Sequence, residues 1–372
     1  MVNHYDAIVV GGGVIGSSVA YSLAKRGLNV IILEKERLAS QASQAAAGML
    51  AAQAEMTEAG PLFELSRKSR NMFPSLADEL KEQSGIDIIL TNKGMFKIAV
   101  TEQQVNEYKQ MISFQREAGE QVEWYTGDEL RDKEPALSKL VLGGLYLPND
   151  GHVSAPELSL AFAKSAAKLG VTIQEYTEVF SFILENGRVK GVKTEQGELQ
   201  SENVIVTTGA WSRRLLRETG IESSDYPVKG ECFSVIFQKP ILESTIFSHG
   251  CYLVPKEGGR LIVGATMKEN TFDRKVTVDG IASLLDKAKR LLPNIVHAEW
   301  EKTWAGIRPQ TADSIPYLGE HPEWQGLFIA TGHYRNGILL SPITGEIIAD
   351  LVEKKPYNDV DLTPFCVHRP LL

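Results

Sequence analysis

Three glycines and one acid near the start of the chain have the spacing that a nucleotide's pyrophosphate and ribose require. The run Tyr5-Asp6-Ala7-Ile8-Val9-Val10 is apolar after its first two residues and leads directly into Gly11-Gly12-Gly13-Val14-Ile15-Gly16. A second apolar run, Val30 to Leu33, stops at Glu34, about twenty residues on, as a βαβ dinucleotide fold demands. Gly11 makes the turn off the strand, and Gly13 leaves room for a pyrophosphate against the backbone. Gly16 lets the helix pack on the sheet with its N-terminal amides facing the anion. A glutamate at the strand end accepts hydrogen bonds from ribose hydroxyls, in NAD or FAD alike.

A second chemical signal is the run Ser40-Gln41-Ala42-Ser43-Gln44-Ala45-Ala46-Ala47-Gly48-Met49-Leu50, almost all small side chains. It reads as an alanine helix or as a segment held against a flat ligand. Its place directly after the ribose acid favours the ligand. A third is Arg308, between a strand-like Trp304–Ile307 and Pro309. A guanidinium grips a carboxylate through two parallel hydrogen bonds, and the ordinary alternative is a surface ion pair.

The elements that must position these residues follow from periodicity. Val14 to Arg26 has helical spacing and Gly27 as its stop, and 61–84 reads as a long amphipathic helix closed by Gly85. Strands are expected at 94–100 and 143–148 with a helix at 102–118 between them, then a helix at 157–169 and strands at 171–173, 188–194 and 204–206. A strand-rich block follows, with strands at 228–237, 251–255 and 260–265, the last two joined by a turn at Glu257-Gly258-Gly259, and one helix at 281–292. Leu327 to Gly332 is a buried strand, and a helix beginning near Gly337 runs to Leu351. The expected fold is α/β: a discontinuous Rossmann-type domain (1–85, 150–225 and 305–372) and a substrate domain with a large antiparallel sheet and helices (86–149 and 226–304).

Composition narrows the class. A chain of 372 residues with a formal charge of −8 and no Lys/Arg run offers no track for nucleic acid. Three cysteines, Cys232, Cys251 and Cys366, are too scattered for a disulfide framework and favour a reducing compartment. Cys232 and Cys251 fall in expected strands, as buried small hydrophobes or as neighbours. No apolar run approaches the about eighteen residues of a membrane span, and the N-terminal apolar stretch, broken by glycines, is structural and no signal peptide. A cytoplasmic location without membrane association is expected. The seven histidines show no metal-ligand spacing.

Taken in order, the fingerprint with Glu34, the Ser40–Leu50 run, Val204–Trp211, Trp304–Pro309 and Gly332-His333-Tyr334-Arg335-Asn336-Gly337 resemble the FAD-dependent amine and amino-acid oxidases. That family includes D-amino-acid oxidase, sarcosine oxidase and glycine oxidase. Ala45–Leu50, Val228–Cys232, Val263–Met267 and Arg335–Leu340 resemble most the bacterial glycine oxidases of thiamine biosynthesis. The resemblance implies a D-amino-acid-oxidase-like fold and non-covalently bound FAD, since residues 300–320 hold no cysteine for a covalent link. It assigns the substrate carboxylate to Arg308 and to the hydroxyl of Tyr252, which by itself reads as a core aromatic, and places Arg335 near the substrate, with an ion pair as its alternative. Met267, Met49 and His249 fall at the pocket, the methionines equally consistent with core. Where related glycine oxidases carry a histidine two residues before the tyrosine, this chain has Gly250, with His249 displaced by one.

The same resemblance gives the cofactor Gly11, Gly13, Val14, Ile15, Gly16, Glu34, Lys35, Ser43, Ala46, Ala47, Gly48, Met49, Val179, Thr208, Gly209, Trp211, Arg308, His333, Arg335, Asn336, Gly337 and Ile338. It implies oxidative deamination of glycine, and of sarcosine and small D-amino acids, by hydride transfer to the flavin. The products are glyoxylate or a 2-oxo acid, ammonia or an amine, and hydrogen peroxide formed from O2. The activity would feed thiazole formation in thiamine biosynthesis, in a homotetramer. The alternative is a sarcosine or D-amino-acid oxidase or dehydrogenase of the same fold with a catabolic role.

Overall fold

The computed structural model describes residues 4–357 and 359–369. Strand β1 (Ala7–Val10), helix α1 (Val14–Lys25) and strand β2 (Val30–Leu33) form the N-terminal βαβ unit. Both strands are buried on both faces, which is why they read as unbroken apolar runs. They pair in parallel with Ile8 opposite Ile31, and on its other side β1 pairs in parallel with Val204–Val206. The six-stranded sheet has the order 317–320, 327–331, 204–206, β1, β2, 172–174, and only its 317–320 edge runs antiparallel. Chain order reverses beside β1, so the carboxyl end of that strand opens at the topological switch point where such sheets bind ligands.

Helices α1, Pro61–Ser84, Ala155–Lys168 and Gly337–Val352 pack together over one face of this sheet. Gly85 closes the second of them in the left-handed conformation, as the sequence pattern anticipates. The opposite face is covered by a three-stranded antiparallel sheet, Val179–Glu185, Arg188–Thr194 and Gly197–Gln200, packing Val179, Phe182, Val189 and Val192 on Ile8, Val10, Ile31 and Leu33. Only its middle strand is foreseen above. The missed signal is Asn186-Gly187, both at positive φ, the dipeptide of a two-residue hairpin turn.

The second sheet has nine strands. Eight run in the order 268–269, 226–236, 260–264, 251–255, 245–248, 95–99, 143–147, 123–126, and Glu299–Gln310 pairs along the other flank of 226–236. All pairings are antiparallel except that of 245–248 with 95–99. Along Tyr226–Ile236, Phe233 and Val235 join the core beneath helix Val278–Leu291, so the alternate residues Gly230 and Cys232 face the other way, toward the first domain. The strand 299–310 runs past residue 304, so this sheet carries Arg308 itself, four residues beyond the boundary read from sequence. Met49–Leu50 and Gly151–His152 form a two-stranded ribbon between the two units. Among the described residues, no helix is long and apolar enough to cross a membrane, and no group of three or more His, Cys, Asp or Glu is placed to hold a metal.

Candidate active site

One continuous cleft runs from the carboxyl ends of β1 and β2 to the sheet face bearing Arg308. At its first end Gly11 has φ +106°, and a β-carbon there would stand 2.7 Å from the Thr207 carbonyl oxygen. Gly16 lies beneath, where a β-carbon would meet the Gly11 carbonyl at 1.9 Å, so it seats the helix and does not line the cleft. Glu34 is buried and held by two backbone donors, Gly12 N to Oε2 at 2.7 Å and Glu36 N to Oε1 at 2.8 Å. The amino terminus of α1 opens on the cleft with no side-chain cap from Gly13, while Ser43 Oγ accepts from Val14 N at 3.0 Å.

The Ser40–Leu50 run is neither a full helix nor a strand. It makes one helical turn at Ala42–Ala45, turns extended at Ala46, and lays Ala46, Ala47 and Gly48 along the cleft wall. Trp304 Nε1 donates to the Ala45 carbonyl at 2.9 Å, and the Ala45 side chain fits the space left by Gly306. Small residues on both sides therefore leave a narrow gap between the two domains. Lys35 lies over the Trp211 ring at 4.0 Å from its centroid, at the dinucleotide end, and Val179, Thr208 and Gly209 complete that wall.

Arg308 and Tyr252 meet at the other end of the cleft. Register explains it: Tyr252 stands opposite Gly264, Gly264 opposite Cys232, and Arg308 opposite Val228, two residues from Gly230 on the same strand as Cys232. Gly230 and Gly264 are the space-makers. A β-carbon at Gly264 would lie 2.2 Å from Tyr252 Oη, and one at Gly230 would lie 2.3 Å from Arg308 Nη2. The sequence pattern assigns no site role to either glycine or to Cys232, although Val228–Cys232 and Val263–Met267 contain them, because that role appears only once three strands are in register.

Arg308 has no acidic partner among the described residues; its hydrogen bond is a 3.5 Å donation to the Thr266 carbonyl. Tyr252 is buried, and its hydroxyl lies 3.5 Å from Cys232 Sγ. Burial pushes the Tyr252 hydroxyl well above the ordinary phenol range, and Cys232 adds to the shift while Arg308 opposes it. Tyr252 is therefore a donor, held neutral beside a guanidinium. Burial likewise raises the Cys232 thiol, so this cleft-lining cysteine stays protonated.

Arg335 lines the same cleft but is engaged: Nε donates to Glu55 Oε1 at 2.9 Å, and Nη2 stands 2.9 Å from the same oxygen. Burial is the largest influence and works against its charge, yet Glu55 with Tyr252 and Tyr334 together outweigh it and the guanidinium stays raised above its usual range. The ion pair considered for Arg335 thus exists, within the cleft wall and not at the surface. Met49 lines the cleft, whereas Met267 is 60 % exposed and touches it through Tyr334, whose hydroxyl donates to Met267 Sδ at 3.2 Å. His249 is exposed in the turn between strands 245–248 and 251–255 and does not line the cleft.

The amino terminus of Gly337–Val352 also opens on the cleft, through Gly337 and Ile338, and Asn336 gives it no side-chain cap. Two helix amino termini, neither capped by the residue that precedes it, therefore face one groove, which suits a ligand carrying anionic character at two separated places. His333 is buried, 3.1 Å from Thr344 Oγ1, and burial lowers it to about 3, so it is neutral. Glycine at the turn, an oriented acid at the ribose position and a gap walled by alanines all fit a flavin dinucleotide.

A family model described as DAO, FAD dependent oxidoreductase, matches residues 6–351. The glycine oxidase of Geobacillus kaustophilus (strain HTA426) is 49 % identical over 372 residues, covering 99 % of this chain and 98 % of that protein. The bifunctional protein ThiO/ThiG of Synechocystis is 34 % identical over 93 % of this chain and 51 % of its own length. A crystal structure of glycine oxidase from Geobacillus kaustophilus superposes with a TM-score of 0.97 at 48 % identity, covering 99 % of each chain.

Proposed function

The chain belongs to the DAO family of FAD-dependent oxidoreductases, and from that premise we propose that it oxidises glycine, with sarcosine and small D-amino acids as further substrates. The observation that carries this reading is the Arg308 guanidinium, without an acidic partner among the described residues, beside the Tyr252 hydroxyl, both facing the gap walled by Ala46, Ala47 and Gly48. A free arginine in a cleft of this kind has a carboxylate as its natural partner.

Gly11, Gly13, Glu34, Ser43, the Ala46–Gly48 segment and the amino terminus at Gly337 would hold FAD. When bound, FAD supplies a two-electron acceptor for the hydride leaving the substrate Cα, and its reoxidation by O2 gives hydrogen peroxide. The residues of this chain do the positioning. Arg308 binds the carboxylate with two parallel hydrogen bonds, and the Tyr252 hydroxyl donates a third. Together they fix the direction of the Cα–H bond, and such orientation contributes much of an enzyme's acceleration. Tyr252 is buried and Arg308 half-buried on this sheet face, a setting in which such bonds are stronger than in open water.

No side chain is required to abstract a carbon proton, because the amine lone pair expels the hydride once the nitrogen is unprotonated. Water then hydrolyses the imine. The balance is glycine, O2 and water in, and glyoxylate, ammonia and hydrogen peroxide out. The relation to a fused ThiO/ThiG protein supports a place in thiamine biosynthesis, with the imine or glyoxylate feeding thiazole formation. Non-covalent binding of FAD is supported by Cys232, the cleft cysteine, being a buried neutral thiol turned to Tyr252; acid precipitation should leave the flavin in the supernatant.

The test is an anaerobic titration with glycine, sarcosine and D-alanine, followed by peroxide release in air. Bleaching of the flavin band by glycine supports the reading. Bleaching only by D-alanine or sarcosine would move the substrate within the family, and no bleaching by any of them would overturn it.

A further inference from the structure

Three arginines line the cleft: Arg214, 3.6 Å from Glu178 at the dinucleotide end, and Arg308 and Arg335 at the substrate end, and the last two differ in one respect. Arg308 is free of acids among the described residues, while Arg335 donates Nε to Glu55 Oε1 and holds Nη2 in an ion pair 2.9 Å from the same oxygen. The Arg335 and Glu55 side chains are 24 % and 12 % exposed, so the pair forms part of the wall and is not a mobile surface bridge. Glu55 is fixed from behind. Asp150 accepts hydrogen bonds from Gln53 N and Ala54 N, and Lys97 Nζ donates to the Ala54 carbonyl at 2.9 Å. The Phe247 ring lies under both cations, 5.7 Å from Arg335 and 5.9 Å from Lys97. Glu55 is thus the acid placed among two cations and an aromatic face.

We infer that Glu55 sets the charge of the substrate this site accepts: by occupying Arg335 it leaves Arg308, among the described residues, as the one arginine at the substrate end open to an anion. Substrates with one carboxylate satisfy the site. A second anionic group on the amine or the side chain would have to displace Glu55 from Arg335, or face its carboxylate. Neutralising Glu55 should release the Arg335 guanidinium toward the cleft and create a second anion position, of the class that N-carboxymethyl or dicarboxylic amino acids would use. Glu55 is a positioning residue in this scheme and touches no substrate. The inference rests on the reading that Arg308 binds the substrate carboxylate.

The experiment uses the FAD-loaded protein and its Glu55→Gln and Glu55→Asp variants. Malonate and acetate are titrated against the flavin spectrum, and iminodiacetate and sarcosine are compared as substrates, the two sharing a secondary amine but not the second charge. Glu55→Gln should raise malonate affinity relative to acetate, and kcat/KM for iminodiacetate relative to sarcosine, by at least about tenfold, mostly in KM. Glu55→Asp should keep the native ratios. A folded, flavin-loaded Glu55→Gln with native ratios for both pairs overturns the inference. If that variant does not accumulate, the native protein decides: no preference for malonate over acetate supports the inference, and a preference of about tenfold overturns it, since Arg335 would then be available despite Glu55. Native protein that fails to turn over glycine sinks the underlying reading instead, so the two failures are distinguishable.

Discussion

The Arg308 guanidinium lies directly over the α-carbon of Gly230, where a β-carbon would stand 2.3 Å from Nη2, 2.4 Å from Nη1 and 2.5 Å from Cζ. The strand pair 226–236 and 299–310 keeps its register only if that space is empty, so the glycine is part of how the arginine is aimed. Gly230→Ala should therefore displace the guanidinium without removing it. A misplacement of about 1 Å costs about 100-fold in rate, so kcat/KM for glycine should fall by that order while flavin content stays native. Steady-state peroxide release with an absorbance measure of bound flavin checks this; an alanine variant with native kcat/KM would refute it.

Arg308→Lys keeps the charge and loses the planar fork. Lysine offers a point charge on a flexible stem, and a charge-assisted hydrogen bond is worth about 1.5–3 kcal/mol. KM for glycine should rise by about 10- to 100-fold, and acetate should perturb the flavin spectrum only at correspondingly higher concentration. Unchanged acetate affinity would remove Arg308 from the carboxylate site.

The pH dependence of turnover should belong to the substrate. Burial keeps the Tyr252 hydroxyl protonated well above the ordinary phenol range, and burial keeps His333 neutral down to about 3. Neither changes charge across the neutral to alkaline range. The reductive rate should rise with pH toward the amine's own pKa, as hydride expulsion from the free amine requires. Stopped-flow reduction by glycine across that range checks it, and a flat profile would argue against the free-amine route.

Stability should fall in acid, with His333 as a contributor. Its folded-state pKa is lowered by burial to about 3, while the unfolded value is near 6.5, so below pH 6.5 the unfolded chain binds the extra proton. Its contribution is fully present above pH 6.5 and is lost as pH falls toward 3, at up to about 1.4 kcal/mol per pH unit. Urea unfolding of FAD-loaded protein at pH 7 and pH 5 should show a shallower acid loss in His333→Gln than in the native chain. Identical slopes would mean that the imidazole is charged in the fold.

Arg70 joins Asp150 and Glu120 in a buried cluster, its side chain 6 % exposed against 0 % and 4 % for the two acids. Asp150 in turn holds the backbone of Gln53 and Ala54, just before Glu55. Removing the cation leaves the buried Asp150 carboxylate without a positive partner, while Glu120 keeps Arg67, so Arg70→Met should destabilise by about 3–5 kcal/mol. It should also loosen Glu55, seen as a rise in malonate affinity relative to acetate. A loss of stability below about 1 kcal/mol would show that the acids find other partners.

The dinucleotide end was legible in the sequence because its parts are contiguous. Gly11, Gly13, Gly16 and Glu34 lie within one βαβ unit, where apolar runs and glycine spacing dictate the turn locally, and the helix closed by Gly85 follows from its own periodicity. Of the three-stranded sheet at 179–200 only the middle strand is legible from periodicity, although Asn186-Gly187 marks its hairpin.

Tertiary structure alone decided the substrate end. Arg308 and Tyr252 are brought to one sheet face by the intervening strands 226–236 and 260–264, whose register puts Gly230 beneath one and Gly264 beneath the other. Glu55 reaches Arg335 across 280 residues of chain, and His249, adjacent to the tyrosine region in sequence, is turned out to solvent. Local patterns fix which residues can form a strand or a helix end. Which two side chains share a cleft depends on strand order and register, and those are set by burial of the whole sheet.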